Sequence, residues 1–154
     1  MFRLIGALML VLVIASPSFG QQSLVGTYKL VSFAPMVEGK PYEPMGKAPH
    51  GYLVITPTHF IYLITAENRK FGTSVAEKAA LLDSMVGNAG VYRVEGNKMF
   101  QTFDVSFMEN QNGTTRVDTF EFSGGRLTLK SDPMPFPRDP SKTYIRLQVL
   151  EKIE

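Results

Sequence analysis

From Leu24 onward, apolar and polar residues trade places at short intervals, most often every second position. That is the period of a strand with one face in a core and the other in water. Leu24 to Ala34 is β-branched and aromatic, and it stops at Pro35. A Pro- and Gly-rich stretch, 35–49, reads as a long loop. His50 to Thr56 and Thr58 to Thr65 read as two apolar strands about the turn at Thr56-Pro57-Thr58-His59. Residues Gly90 to Glu95 and Lys98 to Met108 flank Gly96-Asn97, and Thr114 to Ser123 and Arg126 to Ser131 flank Gly124-Gly125. Such pairs permit the positive φ of a tight hairpin. A second Pro-rich loop, 131–142, leads into a last strand from Thr143 to Ile153.

One segment breaks the period of two. Val75, Ala79, Leu82 and Met85/Val86 fall at helical spacing, which predicts a helix over Ser74 to Val86. Ser74 and Glu77 fit a capping box, and Gly87 reads as the stop. The pattern thus predicts eight strands and one short helix. Tight turns make neighbouring strands antiparallel, because parallel pairs need long crossovers. A sequential sheet of this size closes most readily into an all-β, eight-stranded antiparallel up-and-down barrel, with a sandwich as the alternative. Closure also removes unpaired edges.

The first twenty residues follow another logic. Met1-Phe2-Arg3 is a charged start, Leu4 to Ala15 is apolar or small, and Ser18-Phe19-Gly20 places small residues at a cleavage position. Together these read as a signal peptide, 1–20, cleaved near Gly20. Twelve apolar residues fall short of the ~20 a spanning helix needs. The expected mature domain is therefore 21–154, soluble and either secreted or periplasmic. No later segment reaches membrane length, so no stable membrane insertion of the mature chain is expected.

Composition narrows the chemistry. Removing residues 1–20 takes away one arginine and leaves 15 basic against 14 acidic residues. That balance does not suggest a nucleic-acid binder. The chain has no cysteine, which excludes disulfides, thiolate metal sites and a cysteine nucleophile. An exported domain without disulfides must hold together through its core. His50 and His59 lack metal-motif spacing, and no Gly-x-Ser-x-Gly elbow or phosphate loop occurs, so neither metal nor cofactor is expected. Asn112-Gly113-Thr114 matches a glycosylation acceptor pattern, meaningful only in a eukaryotic host.

Four stretches carry a family resemblance. They are Leu24-Val25-Gly26-Thr27-Tyr28-Lys29-Leu30-Val31-Ser32, His50-Gly51-Tyr52-Leu53-Val54-Ile55-Thr56-Pro57, Ala89-Gly90-Val91-Tyr92-Arg93-Val94 and Gly124-Gly125-Arg126-Leu127-Thr128-Leu129. In order and spacing the chain resembles the bacterial and fungal lipocalin-like domain family, of calycin-type barrels, over most of 24–153. The resemblance implies a barrel whose base is closed by a cation stacked on an aromatic ring. Here the family's tryptophan is Tyr28 and its closing aromatic-Glu-Arg is Leu150-Glu151-Lys152. Tyr28 and Lys152 keep that chemistry in weaker form, as structural residues. The family also tends to place a histidine in the strand at 98–108 and an arginine near 118. Gln101-Thr102 and Asp118 stand there instead, so activities that depend on those groups are not implied for this chain.

Alternation gives the interior. Tyr92 and Val94, then Phe103 and Phe107, then Phe120 and Phe122, then Leu127 and Leu129 fall on inward faces, and Gln101 shares the face of Met99, Phe103, Val105 and Phe107. Tyr52 and Tyr62 are further lining candidates, on strands apolar on both faces. Arg116 and Asp118 share the face of Phe120 and Phe122 and are the best inward polar candidates; the alternative places both at a wet rim. Two functions follow from different classes. One is binding of a small apolar molecule, with Arg116 and Asp118 orienting its polar head. The other is a small cyclase- or isomerase-type enzyme in which that pair polarises a substrate. A filled barrel acting through its surface on another protein is a third option. Oligomeric state is not readable.

Overall fold

The computed structural model describes residues 24–154. The segment read as a signal peptide lies outside the described residues. Strands β1 (Gly26–Phe33), β4 (His50–Ile55), β5 (His59–Thr65), β6 (Met85–Glu95), β7 (Lys98–Ser106), β8 (Thr115–Ser123), β9 (Arg126–Ser131) and β12 (Leu147–Lys152) pair antiparallel around a closed barrel. The last pairing, β1 with β12, sets Tyr28 opposite Lys152 and closes the sheet. The barrel expected from the pattern of two is therefore present, and the sandwich is not.

The connections sort by end. Tight turns join β4 to β5, β6 to β7 and β8 to β9 at one end, the base. In the turn at Gly124-Gly125 both residues have positive φ, 58° and 77°, which a type I′ hairpin needs and side chains resist. All long connections gather at the other end, the mouth. The two Pro-rich stretches expected as loops are not structureless there. They supply β2 (Met36–Val37), β3 (Lys40–Pro41), β10 (Met134–Phe136) and β11 (Asp139–Ile145), which pair as a small four-stranded sheet in the order β10-β11-β2-β3. The last predicted strand is thus two strands in two sheets, broken at Arg146.

The helix, α1, spans Val75–Asp83 and starts with the expected capping box: Ser74 Oγ accepts from the Glu77 amide, and Glu77 accepts from the Ser74 amide. It ends at Ser84, not Gly87. Residues from Met85 join β6 instead, because β5 offers seven consecutive pairing partners from Thr65 back to His59. Pairing with an open strand outweighs helical spacing there. None of the helix is buried.

The base half of the barrel is packed solid. Tyr28 and Phe60 are fully buried among Leu24, Ile55, Met99 and Leu127. Tyr28 Oη donates to the Leu24 carbonyl at 2.8 Å, and burial, with Tyr92 nearby, pushes its phenol up to about 12. Lys152 Nζ lies 5.9 Å from the Tyr28 ring centre and donates to the Val25 carbonyl at 2.8 Å. This is the cation-on-aromatic closure the resemblance implies.

A bulge resets the alternation in β7. Gly90 faces Phe103 and Ala89 faces Val105, so Asp104 is the extra residue. A Cβ on Gly90 would lie 1.9 Å from the Thr102 carbonyl oxygen, so the close approach requires glycine. Past the bulge the phase inverts: Val105, expected inside, is 64% exposed.

Candidate functional site

Above the packed base, the barrel is hollow. A cavity of about 530 Å³ opens toward the mouth, within the range that holds a small organic molecule. Phe33, Met45, Phe103 and Phe107 form part of its apolar wall, and Met134, Phe136 and Tyr144 of the small sheet cover its outer side. Phe136 is held edge-on to Tyr42 at 5.3 Å and stacked on Tyr144 at 5.5 Å. Burial pushes the Tyr144 phenol up to about 12, against the opposing pull of Arg146.

The floor is polar and crowded. Tyr62 (β5), Asn88 (β6), Arg116 (β8), Gln148 (β12) and Arg146, just before β12, border the cavity. Asp118 and Gln101 lie just behind them, 0% and 1% exposed. One oxygen of Asp118, Oδ2, accepts from Arg146 Nη2, from Gln101 Nε2 and, at 3.3 Å, from Arg116 Nε. Arg116 also donates Nη1 to Tyr62 Oη at 3.1 Å and Nη2 to Gln101 Oε1 at 2.9 Å. Asn88 Nδ2 donates to the same Tyr62 oxygen at 2.6 Å. The Arg116 guanidinium sits 4.8 Å from the Phe103 ring centre and 5.4 Å from that of Tyr62, and Arg146 sits 5.8 Å from Tyr62. The Arg116 guanidinium thus lies near two rings and that of Arg146 near one, and both charges are aimed at one carboxylate.

The electrostatics follow from that packing. Burial pushes the Asp118 carboxyl up, but the Arg146 and Arg116 charges and the hydrogen bonds from Arg146 and Gln101 outweigh it and hold it below its usual value. Burial likewise raises Tyr62, yet the two guanidiniums bring its phenol below the ordinary range. Burial disfavours charge on Arg116, and Tyr62 and Asp118 more than restore it. At neutral pH the cluster holds two guanidiniums against one carboxylate, with the Tyr62 phenol drawn below its ordinary range.

Of the lining residues read from sequence, Tyr62, Phe103, Phe107 and Arg116 border the cavity. Gln101 and Asp118 are buried beneath its floor. The rim alternative for Arg116 and Asp118 is not what the barrel adopts. Tyr92 is inward but belongs to the packed base, donating Oη to the Thr56 carbonyl at 2.9 Å. Phe120 packs half-buried against the core. Two are corrected. Phe122, 43% exposed, stands opposite Leu127 at the base end of β8, where the strand runs out to the Gly124-Gly125 turn. Tyr52, 52% exposed, points outward with Val54, opposite Leu63 and Ile61 of β5, because Leu53 and Ile55 take the core face of β4. His50 and His59 are exposed at opposite ends of the β4–β5 hairpin, and no group of metal-ligating side chains occurs among the described residues.

Arg146, Asn88 and Gln148 were missed. A signal for Arg146 and Gln148 existed: they alternate with Leu150 on the last strand. Arg146 is fixed where the chain leaves the small sheet for the barrel. Its amide donates to Ser131 Oγ at 2.9 Å and its carbonyl accepts from the Ser131 amide at 3.0 Å.

An eight-stranded up-and-down barrel, sealed by a cation on a ring at its base and hollow at its mouth, is a calycin-type architecture. The lipocalin-like domain model matches residues 25–147, and the chain belongs to that family. No curated protein matches it in sequence. Among the described residues no helix is long and apolar enough to cross a membrane.

Proposed function

We propose that this protein is an exported lipocalin-like carrier that holds one small, mainly apolar molecule in the mouth of its barrel. The observation that carries the reading is the cavity of about 530 Å³, walled by aromatic and methionine side chains and floored by an ordered polar cluster. Apolar walls supply affinity and a few fixed polar groups supply orientation, the usual division of labour in small-molecule sites. Export rests on the charged, apolar and small-residue order of residues 1–20.

The cyclase or isomerase reading gave Asp118 and Arg116 the polarising work. Asp118 is shut behind the floor, bound to two arginines and kept ionised, which makes it a poor proton donor to anything in the cavity. Binding is the better-supported reading. The test is a fluorescence titration of the protein with an uncharged apolar dye. Saturable uptake at one site per chain is expected, reduced when Phe103→Ala loosens the wall. A linear, unsaturable response would count against a defined site.

A further inference from the structure

Two guanidiniums at the cavity floor share a single carboxylate. Arg116 and Arg146 both border the cavity, while the carboxylate they share, Asp118, lies behind them. Guanidiniums stay protonated, so two positive charges share one carboxylate where Arg146 is only 4% exposed. Among the described residues neither arginine pairs with another carboxylate, and the buried Nε of Arg146 has no hydrogen-bond partner. Asp83 and Asp132 also border the cavity, but both are exposed at its mouth and Asp132 pairs with Lys98 at 3.2 Å. An unmatched buried charge is costly, and an anion arriving from the cavity would relieve it.

We infer that the ligand is an amphiphile with a single negative charge at one end, a carboxylate docking on Arg116 and Arg146 beside Tyr62 and Asn88. This deepens the binding reading above and rests on it. A carboxylate is flat and offers two acceptor oxygens, which suits the donor fork of a guanidinium. Its tail then runs past Phe103 and Phe107 to the underside of the small sheet. Asp118 acts as the fixed counter-charge that holds both arginines in place.

The test is a calorimetric titration of the wild-type chain and the Arg116→Gln variant with decanoate, decanol and decylamine. The substitution leaves one guanidinium, Arg146, paired with one carboxylate, Asp118. Wild-type protein is expected to prefer decanoate over decanol by roughly ten- to a hundredfold, with decylamine weakest. Arg116→Gln should erase that preference. Equal affinity of wild type for decanoate and decanol overturns the charge inference and leaves the apolar-cavity reading intact. Failure of every probe, the uncharged dye included, overturns the cavity reading itself and this inference with it. If Arg116→Gln does not fold, the wild-type phenol titration supplies a second readout. Bound decanoate should raise the Tyr62 transition and bound decanol should not, because a nearby negative charge opposes phenol ionisation. An unmoved transition with decanoate bound overturns docking at the floor.

Discussion

Asp118 concentrates the electrostatics of the barrel in one side chain, accepting from three neighbours through a single oxygen. Asp118→Asn leaves two guanidiniums without their counter-charge and is expected to destabilise the fold by about 3–5 kcal/mol, read from urea unfolding. The pH dependence has a definite sign. The folded carboxyl titrates below its unfolded value of about 3.9, so its contribution is complete above about pH 4 and is lost as pH falls through the folded value. Unfolding followed from neutral into acid pH should therefore fall more steeply for wild type than for Asp118→Asn. The tyrosines supply an alkaline counterpart. Tyr62 should ionise before Tyr28 and Tyr144, both pushed to about 12, and Tyr62→Phe should remove the earliest transition in an absorbance titration. Alternation alone pointed to Arg116 and Asp118, since one inward face in β8 carries both. It could not pair them with Arg146, which lies between β11 and β12, far along the chain, and reaches Asp118 across Ser131 of β9.

Strands and their ends show which rules are local. A run such as Leu127-Thr128-Leu129 carries its inward face in its own period, and Leu127 and Leu129 are buried accordingly. The bulge at Asp104 is invisible from one strand, because it depends on how Gly90 meets Thr102 across the pair. Gly90→Ala should accordingly be disruptive, with a loss of about 1–3 kcal/mol or more, since the Thr102 carbonyl must move to admit a methyl group. Thermal unfolding measures it. Should the variant prove as stable as wild type, the close approach is not a constraint. The helix ends short of its sequence pattern for a similar reason: Gly87 is a plausible stop on its own, but β5 recruits residues from Met85 into the sheet. Proline-rich composition likewise hid the small sheet, whose strands are two to seven residues long and pair across distant parts of the chain.

At the scale of the whole molecule, short turns at the base and long connections at the mouth build a vessel with one closed and one open end. That layout was legible in the spacing of the glycine turns and the proline-rich stretches. Whether the vessel was hollow was not, because volume depends on how eight strands' side chains share one interior. The answer divides by height: Tyr28, Phe60 and Met99 fill the base, and the cavity occupies the mouth. The proposed export makes a prediction at this scale too. Protein recovered from outside the cytoplasm should begin near Gln21 on terminal sequencing, and a retained Met1 would contradict a cleaved signal. The most direct measurement of the central claim is native mass spectrometry of the protein. The account predicts one small molecule per chain, released on unfolding, or taken up on incubation with a lipid extract. Only the bare chain mass under both conditions would contradict it.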